Sequence, residues 1–459
     1  MLELRCWKIL SIVVLGSLFL MSGVAVATQS ESNIYLKADI DWKQFEGETI
    51  NVLVTPAHYF NKFRAITPGF TKLTGIKVTF DVIPPREMRE KAVLDFAMGI
   101  GTYVTHTADP MYIPLYVVNN WIEPLDEYLN NPTLTDLEWF NLEDIIPLWR
   151  EADSVKGKLY GMPVEGEATV HIYRTDIYDQ FGLTVPETFE ELRMTAQKTH
   201  QPEKNLAGLV LRGFRGAGQN MYIWPSLFRS WGGEWFDATG KPAVNSKAGI
   251  DALEYYADVL QHWSAPGVEN WNWPEIMEAF AAGTVVQYID ANSTASVIED
   301  PDKSKVAGRI GYHRWPIGPA GRRVTSIWNW TTPINSEISE RKKKATWLYI
   351  QWLASRPTQF RSALYKESPE AVIRTGVNRV SIWQDLEYQK LVGFQGGNYI
   401  DVVLTSLRED TDADWRPRVP EWPQIGEAMA IAIQAALVGE KTPKQALDEA
   451  NARIIEIMK

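Results

Sequence analysis

The chain has 459 residues, of which 45% are hydrophobic and 22% charged, and its formal net charge is −11. This length exceeds one ordinary hydrophobic core and the composition is that of a globular protein, so two domains are expected rather than a membrane bundle. An acidic chain without a tract of basic residues is also unsuited to binding nucleic acid.

Residues 1–27 have the layout of a secretory signal. Arg5 and Lys8 precede an apolar run at 9–21, and small residues follow to the end of the segment. A charged start, a short apolar core and an A-x-A step predict export to the periplasm and cleavage; a retained anchor is the alternative. The only cysteine, Cys6, lies in this segment. The exported protein would therefore lack disulfides, catalytic thiols and cysteine metal ligands.

The segments that follow alternate between strand and helix patterns. Residues 28–46 are polar and are predicted to form a loose leader. The apolar run at 49–54 is typical of a strand covered on both faces, as in parallel sheets. A helix pattern at 59–73, stopped by Gly75, and an alternating pattern at 76–82 come next. Strand, helix and strand in this order predict a βαβ unit with a right-handed crossover.

Three extended segments are predicted to carry the chain between two lobes. The first is 159–176, where a Gly-Pro turn leads into a β-branched stretch with Glu165 and Glu167 at its start. The second is the aromatic and polar stretch 326–333, and the third is 368–381. No low-complexity linker separates the halves, which suits two lobes joined by several crossings.

The second half of the chain also alternates between the two patterns. Thr188 and the glutamate three residues later form a capping box for a helix that runs to residue 199. Apolar strand patterns cover 206–211 and 284–290, and the second of these ends on a carboxylate. The last helix pattern, 443–458, has a threonine cap and proline at its first position. These patterns predict a second α/β lobe.

The sequence contains few candidate catalytic or metal-ligating residues. The histidines are scattered, and no metal-ligand, phosphate-loop or nucleophile-elbow motif is present, so neither a metal nor a cofactor is predicted. Glu165, Glu167 and Asp290 could be the paired carboxylates of a secreted glycosidase. They could instead accept hydrogen bonds from vicinal hydroxyls, with Arg212 or Arg379 donating from the opposite side. Both functions remain open at this point.

Tryptophan is over-represented, with 19 residues in the chain. Indoles fill cores and interfaces, and they also form flat platforms for the C–H faces of sugars and polyols. Trp328, Trp330 and Trp224 are candidates for this stacking role. A phosphorylated or acidic ligand would need more positive charge than the sequence offers, so binding of a neutral polyhydroxylated ligand is favoured.

Several longer segments are similar to those of a known protein family. They are TGIKV (74–78), KLYGMP (158–163), YRTDIYDQFGL (173–183), PETFEEL (186–192), GGEWFD (232–237) and GEKTPKQAL (439–447). The order and spacing of these segments are similar to those of the extracellular solute-binding proteins of carbohydrate ABC importers. The resemblance extends from Thr49 to Met458. Four further segments are similar to the sorbitol/mannitol-binding subgroup: 166–176, 211–221, 288–297 and 326–334.

The resemblance implies an α/β, periplasmic-binding-protein-like fold of two lobes joined by a hinge of crossing strands. Lobe one would comprise 47–164 plus 329–373, and lobe two 165–328 plus 374–459. It also implies a monomer without catalytic activity that binds a sugar or polyol in the cleft and delivers it to the transmembrane subunits of an ABC permease.

The resemblance also implies which residues gather the ligand. They are Asp109, Tyr112, Glu167, Arg212, Asn220, Asp290, Trp328, Trp330 and Arg379. The residue patterns described above add Glu165, Trp224 and Asn292, the last because it follows, after Ala291, the strand that ends on Asp290.

Overall fold

The computed structural model describes residues 34–365 and 373–459. The predicted signal at 1–27 lies outside these ranges. Within them, no helix combines the length and apolarity needed to cross a membrane. The strands, β1 to β9 in chain order, are Thr49–Val54, Lys77–Val82, Thr105–His106, Ser154–Val155, Lys158–Leu159, Met162–Arg174, Gln287–Ala291, Ile310–His313 and Ile327–Thr332.

Helices make up most of the remaining regular structure. The α-helices are His58–Thr74, Pro85–Ala97, Ile113–Val118, Asp126–Leu129, Leu137–Phe140, Pro147–Ala152, Thr175–Phe181, Phe189–Thr199, Asn220–Ser230, Lys247–His262, Trp273–Ala282, Ala295–Ile298, Glu340–Ala354, Arg356–Leu364, Val380–Trp383, Leu386–Val392, Tyr399–Thr405, Trp422–Leu437 and Pro443–Ile457. Short 3₁₀ turns, such as Pro110–Tyr112 and Asn292–Thr294, follow some of the strands.

Lobe one is organised around a parallel sheet with the strand order β2-β1-β3. β1 and β2 pair over their whole length. The helix between them, His58–Thr74, ends at Gly75, whose φ is 73°. Glycine adopts this left-handed conformation without steric cost, which is why the helix stops there. The βαβ unit predicted from the sequence is confirmed.

Lobe two contains an antiparallel sheet with the order β7-β6-β8. The strand predicted at 284–290 forms as β7, but the one predicted at 206–211 makes only isolated bridges. The amides of Gly208 and Leu209 donate to the carbonyl of Trp263 at 2.9 and 3.1 Å. Because these donors are taken by another segment, a continuous ladder does not form there.

Two long strands connect the lobes. β6 pairs with β9 over Met162–Ala168 and with β7 and β8 over Thr169–Arg174. A third extended segment, 373–379, lies beside them, and the carbonyl of Gly376 accepts a hydrogen bond from the amide of Gly166 at 3.2 Å. The crossings predicted around β6 and β9 therefore form, whereas the exact division of the chain between the lobes stays a prediction.

The stretch before β1 differs from its prediction. Tyr35 and Trp42 are buried, and the Trp42 ring centroid lies 5.7 Å from that of Trp139. Tyr35 contacts Trp352 at 6.3 Å between centroids. These aromatic contacts bury enough apolar surface to hold an otherwise polar segment against lobe one. The prediction of a loose leader at 28–46 is wrong from residue 34 onward.

Candidate functional site

A cavity of about 510 Å³ lies between the lobes. Lobe one contributes the turn after β1, from Thr55 to Tyr59, together with Arg89 from the helix that follows β2. Lobe two contributes Arg212 and Ser293, among others. The cavity thus lies beyond the carboxyl end of β1, the place where open α/β sheets bind their ligands.

Two indoles form part of the cavity wall. Trp328 and Trp330 are two residues apart on β9, so their side chains share one face of the strand. Both line the cavity, with exposed fractions of 5% and 8%. Their ring centroids are 5.8 Å apart and their planes are inclined by 64°. Nε1 of Trp328 has no hydrogen-bond partner in the described part of the chain, so this apolar wall also carries a free donor.

Glu167, on β6, brings a carboxyl group to the cavity. It accepts a hydrogen bond from the Ser293 hydroxyl. Burial raises the pKa of Glu167 to about 7, although Ser293 and the Arg212 charge act in the opposite direction. The group can therefore accept hydrogen bonds from ligand hydroxyls when ionised, and it changes protonation state near neutral pH.

Glu165, two residues earlier on β6, belongs to the hinge instead of the cavity wall. Its carboxylate accepts a hydrogen bond from Nε of Arg374. The same guanidinium donates to Oε1 of Gln359 at 2.8 Å and to the carbonyl of Val164 at 2.6 Å. Glu165 thus ties β6 to the third crossing through Arg374, although burial outweighs this arginine and raises the pKa of Glu165 to about 8.

Arg212 lines the cavity and is held in place by Asp290. Its Nε donates to Oδ2 of Asp290 at 2.8 Å, Nη2 donates to the other carboxylate oxygen, and Nη1 donates to the carbonyl of Gly218 at 2.7 Å. Burial acts to lower the pKa of Arg212, but Asp290 outweighs it and the net direction is upward. Asp290 is fully buried. It therefore positions Arg212 and does not itself line the cavity, so its role as a hydroxyl acceptor stays a prediction.

A second arginine–carboxylate pair faces the cavity from lobe one. Asp109, buried just after β3, accepts hydrogen bonds from Nε of Arg89 and from Nη2 of Arg89, the latter at 3.2 Å. Arg89 lines the cavity, whereas Asp109 lies behind it. Burial acts to lower the pKa of Arg89, but the charge and the hydrogen bonds of Asp109, together with Tyr112 and Tyr116, turn the net direction upward. Asp109 thus acts on the cavity through Arg89.

Of the predicted residues, only Glu167, Arg212, Trp328 and Trp330 line the cavity, and most of its other lining residues, such as Arg89 and Tyr59, were not predicted from the sequence. Arg89 has no distinguishing signal, because it is one of several charged residues on its helix. Tyr59 does have a sequence signal, because the residues that follow the carboxyl end of a parallel strand face the ligand cleft.

Three predicted residues of lobe two satisfy protein groups away from the cavity. Trp224 is fully buried in the core of the lobe. Nδ2 of Asn220 donates to the carbonyl of Ala430 at 3.0 Å. Oδ1 of Asn292 accepts a hydrogen bond from the amide of Ala168 at 2.8 Å. None of the three lines the cavity, because their polar or apolar surfaces are already used within the fold.

Two other predicted residues also lie elsewhere. Arg379 donates to the carbonyls of Ala354 and Asn141 at 2.7 and 2.8 Å, and burial lowers its pKa to about 10. Tyr112 packs against Tyr116 with ring centroids 5.9 Å apart. Neither side chain lines the cavity; Arg379 instead joins its own segment, the third crossing, to two segments of lobe one.

The charges around the cavity are compensated locally. Arg89 and Arg212 each have a carboxylate directly behind them. Lys303, a third lining cation, lies 3.7 Å from Asp300. A phosphorylated or acidic ligand would require positive charge without such partners, so this arrangement favours a neutral ligand.

The carboxylates do not form the pair that a glycosidase needs. Such an enzyme directs two carboxyl groups at one glycosidic bond. Glu165 and Asp290 are both engaged by arginines, and of the three candidates only Glu167 lines the cavity.

In residues 34–365 and 373–459, no group of three His, Cys, Asp or Glu side chains could hold a metal ion.

Known proteins resemble this chain over most of its length. The mannitol-binding protein of Pseudomonas aeruginosa is 26% identical over 397 residues, covering 84% of this chain and 87% of the relative. The erythritol/L-threitol-binding protein of Mycolicibacterium smegmatis is 25% identical over 395 residues, covering 82% of each.

Solved structures are similar in both fold and sequence. An ABC transporter solute-binding protein from Agrobacterium radiobacter, in complex with ribitol, has a TM-score of 0.81 at 25% identity and covers 90% of this chain and 99% of its own. One from Agrobacterium vitis, with bound D-mannitol, has a TM-score of 0.78 at 27% identity, with 90% and 98% covered. The model of the family described as bacterial extracellular solute-binding protein matches residues 56–360. With more than half of its length matched and the fold shared, this chain belongs to the bacterial extracellular solute-binding protein family.

Proposed function

We propose that this protein is the periplasmic binding component of an ABC importer and that its ligand is a sugar alcohol. The interlobe cavity carries the proposal. It combines three tryptophans (Trp273, Trp328 and Trp330), one carboxyl acceptor and three cations, each of which has a carboxylate partner. Such a surface suits the C–H edges and hydroxyls of a neutral polyol. Relatives named for mannitol and for erythritol or threitol, and neighbours with ribitol and mannitol bound, support the same ligand class.

The mode of action follows from the two-lobed fold. Closure of the lobes around the ligand would bury it from water, and a permease would then recognise the closed form. The protein would act as a monomer, exported by its N-terminal signal. Catalysis has no place in this scheme, because binding and release leave the ligand unchanged.

A thermal unfolding screen is expected to identify the ligand. Polyols of four to six carbons should raise the unfolding temperature, because a ligand at a hundredfold excess over its Kd stabilises the native state by about 2.7 kcal/mol. Monosaccharides should act more weakly and sugar phosphates not at all, since the lining cations are already paired. The bound compound should be recovered unaltered. A response to sugar phosphates but not to polyols would refute the proposed ligand class.

The pH dependence of binding should report on Glu167. We expect the polyol affinity to fall as the pH is lowered below 7, by no more than about tenfold per pH unit. The reason is that protonation of Glu167 removes an acceptor of two hydroxyl hydrogen bonds. Glu167→Gln should bind about 30-fold more weakly at pH 8 and show little pH dependence. Titration calorimetry from pH 5.5 to 8 measures both proteins.

The stability of the ligand-free protein should rise as the pH falls, whereas the polyol affinity should decrease. The folded-state pKa of Glu167, about 7, lies above the ordinary glutamate value of 4.5, so between these values the native state holds a proton that the unfolded state releases. The free energy of unfolding should therefore rise as pH falls through this window, relative to Glu167→Gln. Parallel pH curves for the two proteins would show that Glu167 does not titrate there.

A further inference from the structure

One arginine at the junction of the lobes has no carboxylate partner. Arg416 is 4% exposed, yet in the described part of the chain no carboxylate oxygen lies within 4 Å of its guanidinium nitrogens. Its Nη1 instead donates to the sulfur of Met111 at 3.3 Å. Met111 lies in the 3₁₀ turn after β3 of lobe one, whereas Arg416 lies six positions before the start of the helix Trp422–Leu437 of lobe two. The contact therefore joins the two lobes directly.

Three indoles surround this cation. The guanidinium carbon lies 4.6 Å from the ring centroid of Trp415, 5.0 Å from that of Trp328 and 5.9 Å from that of Trp422. Aromatic faces attract a cation, and the attraction is strongest where water is excluded. Trp422 also donates from Nε1 to the sulfur of Met111 at 3.2 Å. Two donors of lobe two thus converge on one sulfur atom of lobe one.

Trp328 links this contact to the ligand cavity. Its ring lines the cavity, and the guanidinium of Arg89, on lobe one, lies 6.0 Å from its centroid. The indole therefore contacts a cation from each lobe while one part of it faces the ligand. A ligand that immobilises the Trp328 ring therefore also immobilises the ring that contacts the Arg416 guanidinium.

We propose that Arg416 is a positioning residue for lobe closure, which stabilises the closed form through Met111 and holds the Trp328 ring against the ligand. The role rests on the proposed function, since closure matters because it traps the ligand. The Met111 contact exists only while the lobes are together, so its loss should speed opening more than it disturbs either lobe alone.

The first test measures ligand dissociation. Stopped-flow tryptophan fluorescence would follow release of D-mannitol and of ribitol. Arg416→Met should raise the dissociation rate by about tenfold or more and Met111→Leu by about threefold, with Arg416→Lys in between. The double variant should differ little from Arg416→Met, because both changes remove the same contact. Arg408→Met is the matched control, since Arg408 is exposed and pairs with its neighbour Glu409.

The second test needs no ligand. In a Cys6→Ala background, which has no other cysteine, Glu151→Cys and Arg418→Cys place thiols on facing sides of the lobe junction, where the native side chains approach to 3.8 Å. The rate of crosslinking by a short bis-maleimide reports how often the lobes close. Arg416→Met should slow it by about fivefold, and Arg408→Met should leave it unchanged.

The outcomes of the two tests separate the proposals. If wild-type protein responds to no polyol of four to six carbons, the proposed ligand class fails, and the ligand-free crosslinking rate still decides the role of Arg416. If crosslinking is equally fast with and without the Arg416 side chain, the closure role is wrong. Should Arg416→Met fail to fold, Met111→Leu tests the same contact from lobe one, and a wild-type crosslinking rate in that variant would refute the proposal.

Discussion

Replacement of Asp290 by alanine is expected to lower the free energy of unfolding by about 3–5 kcal/mol. Asp290 is fully buried and receives two hydrogen bonds from Arg212. Removing the carboxylate leaves a guanidinium in a nearly dry site without its counter-charge, and this costs far more than the loss of an exposed pair. Urea unfolding of the ligand-free protein, followed by circular dichroism, measures the difference.

Two further variants make this result specific. Asp290→Ala combined with Arg212→Met should be more stable than Asp290→Ala alone, because no unpaired charge remains buried. Asp251→Ala removes an exposed carboxylate that pairs with Lys247 one helical turn away, and it should change stability by less than about 0.5 kcal/mol. If Asp290→Ala unfolds like the wild-type protein, the proposed structural role of the Arg212–Asp290 pair is wrong.

Trp328→Ala is expected to weaken polyol binding by about 100-fold, the effect typical of a central aromatic contact. The substitution removes the indole face that lines the cavity and the surface on which Arg89 and Arg416 rest. It also removes the unpartnered Nε1 donor. Isothermal titration calorimetry with the ligand found in the thermal screen gives the affinity directly.

A pair of milder substitutions separates binding from folding. Trp328→Phe and Trp224→Phe remove the same atoms from two tryptophans, of which only Trp328 lines the cavity. Trp328→Phe should lose about tenfold in affinity with a small change in unfolding temperature. Trp224→Phe should keep its affinity and lose about 1–3 kcal/mol of stability, as core truncations do. The reverse pattern would mean that Trp224 faces the ligand.

Local patterns in the sequence determined most of the secondary structure and the route of the chain. Thr188 and Thr442 form the capping boxes that their spacing predicts, because such a cap depends on residues three apart. Trp328 and Trp330 reach the same wall because side chains two apart share a face of a strand. The crossing strands β6 and β9 were likewise recognisable from their extended, β-branched and aromatic composition.

Only the tertiary structure decided which of several similar residues reach the cavity. Arg212 and Arg379 are both arginines near a carboxylate, yet only Arg212 lines the cavity. The ion pair of Arg212 with Asp290 spans 78 positions, and the contact of Arg416 with Met111 spans 305. The first contact forms within lobe two and the second forms between the lobes, and no short sequence pattern specifies either geometry. The sequence alone therefore determined the kinds of residue available, and the packing of the lobes decided which of them face the ligand.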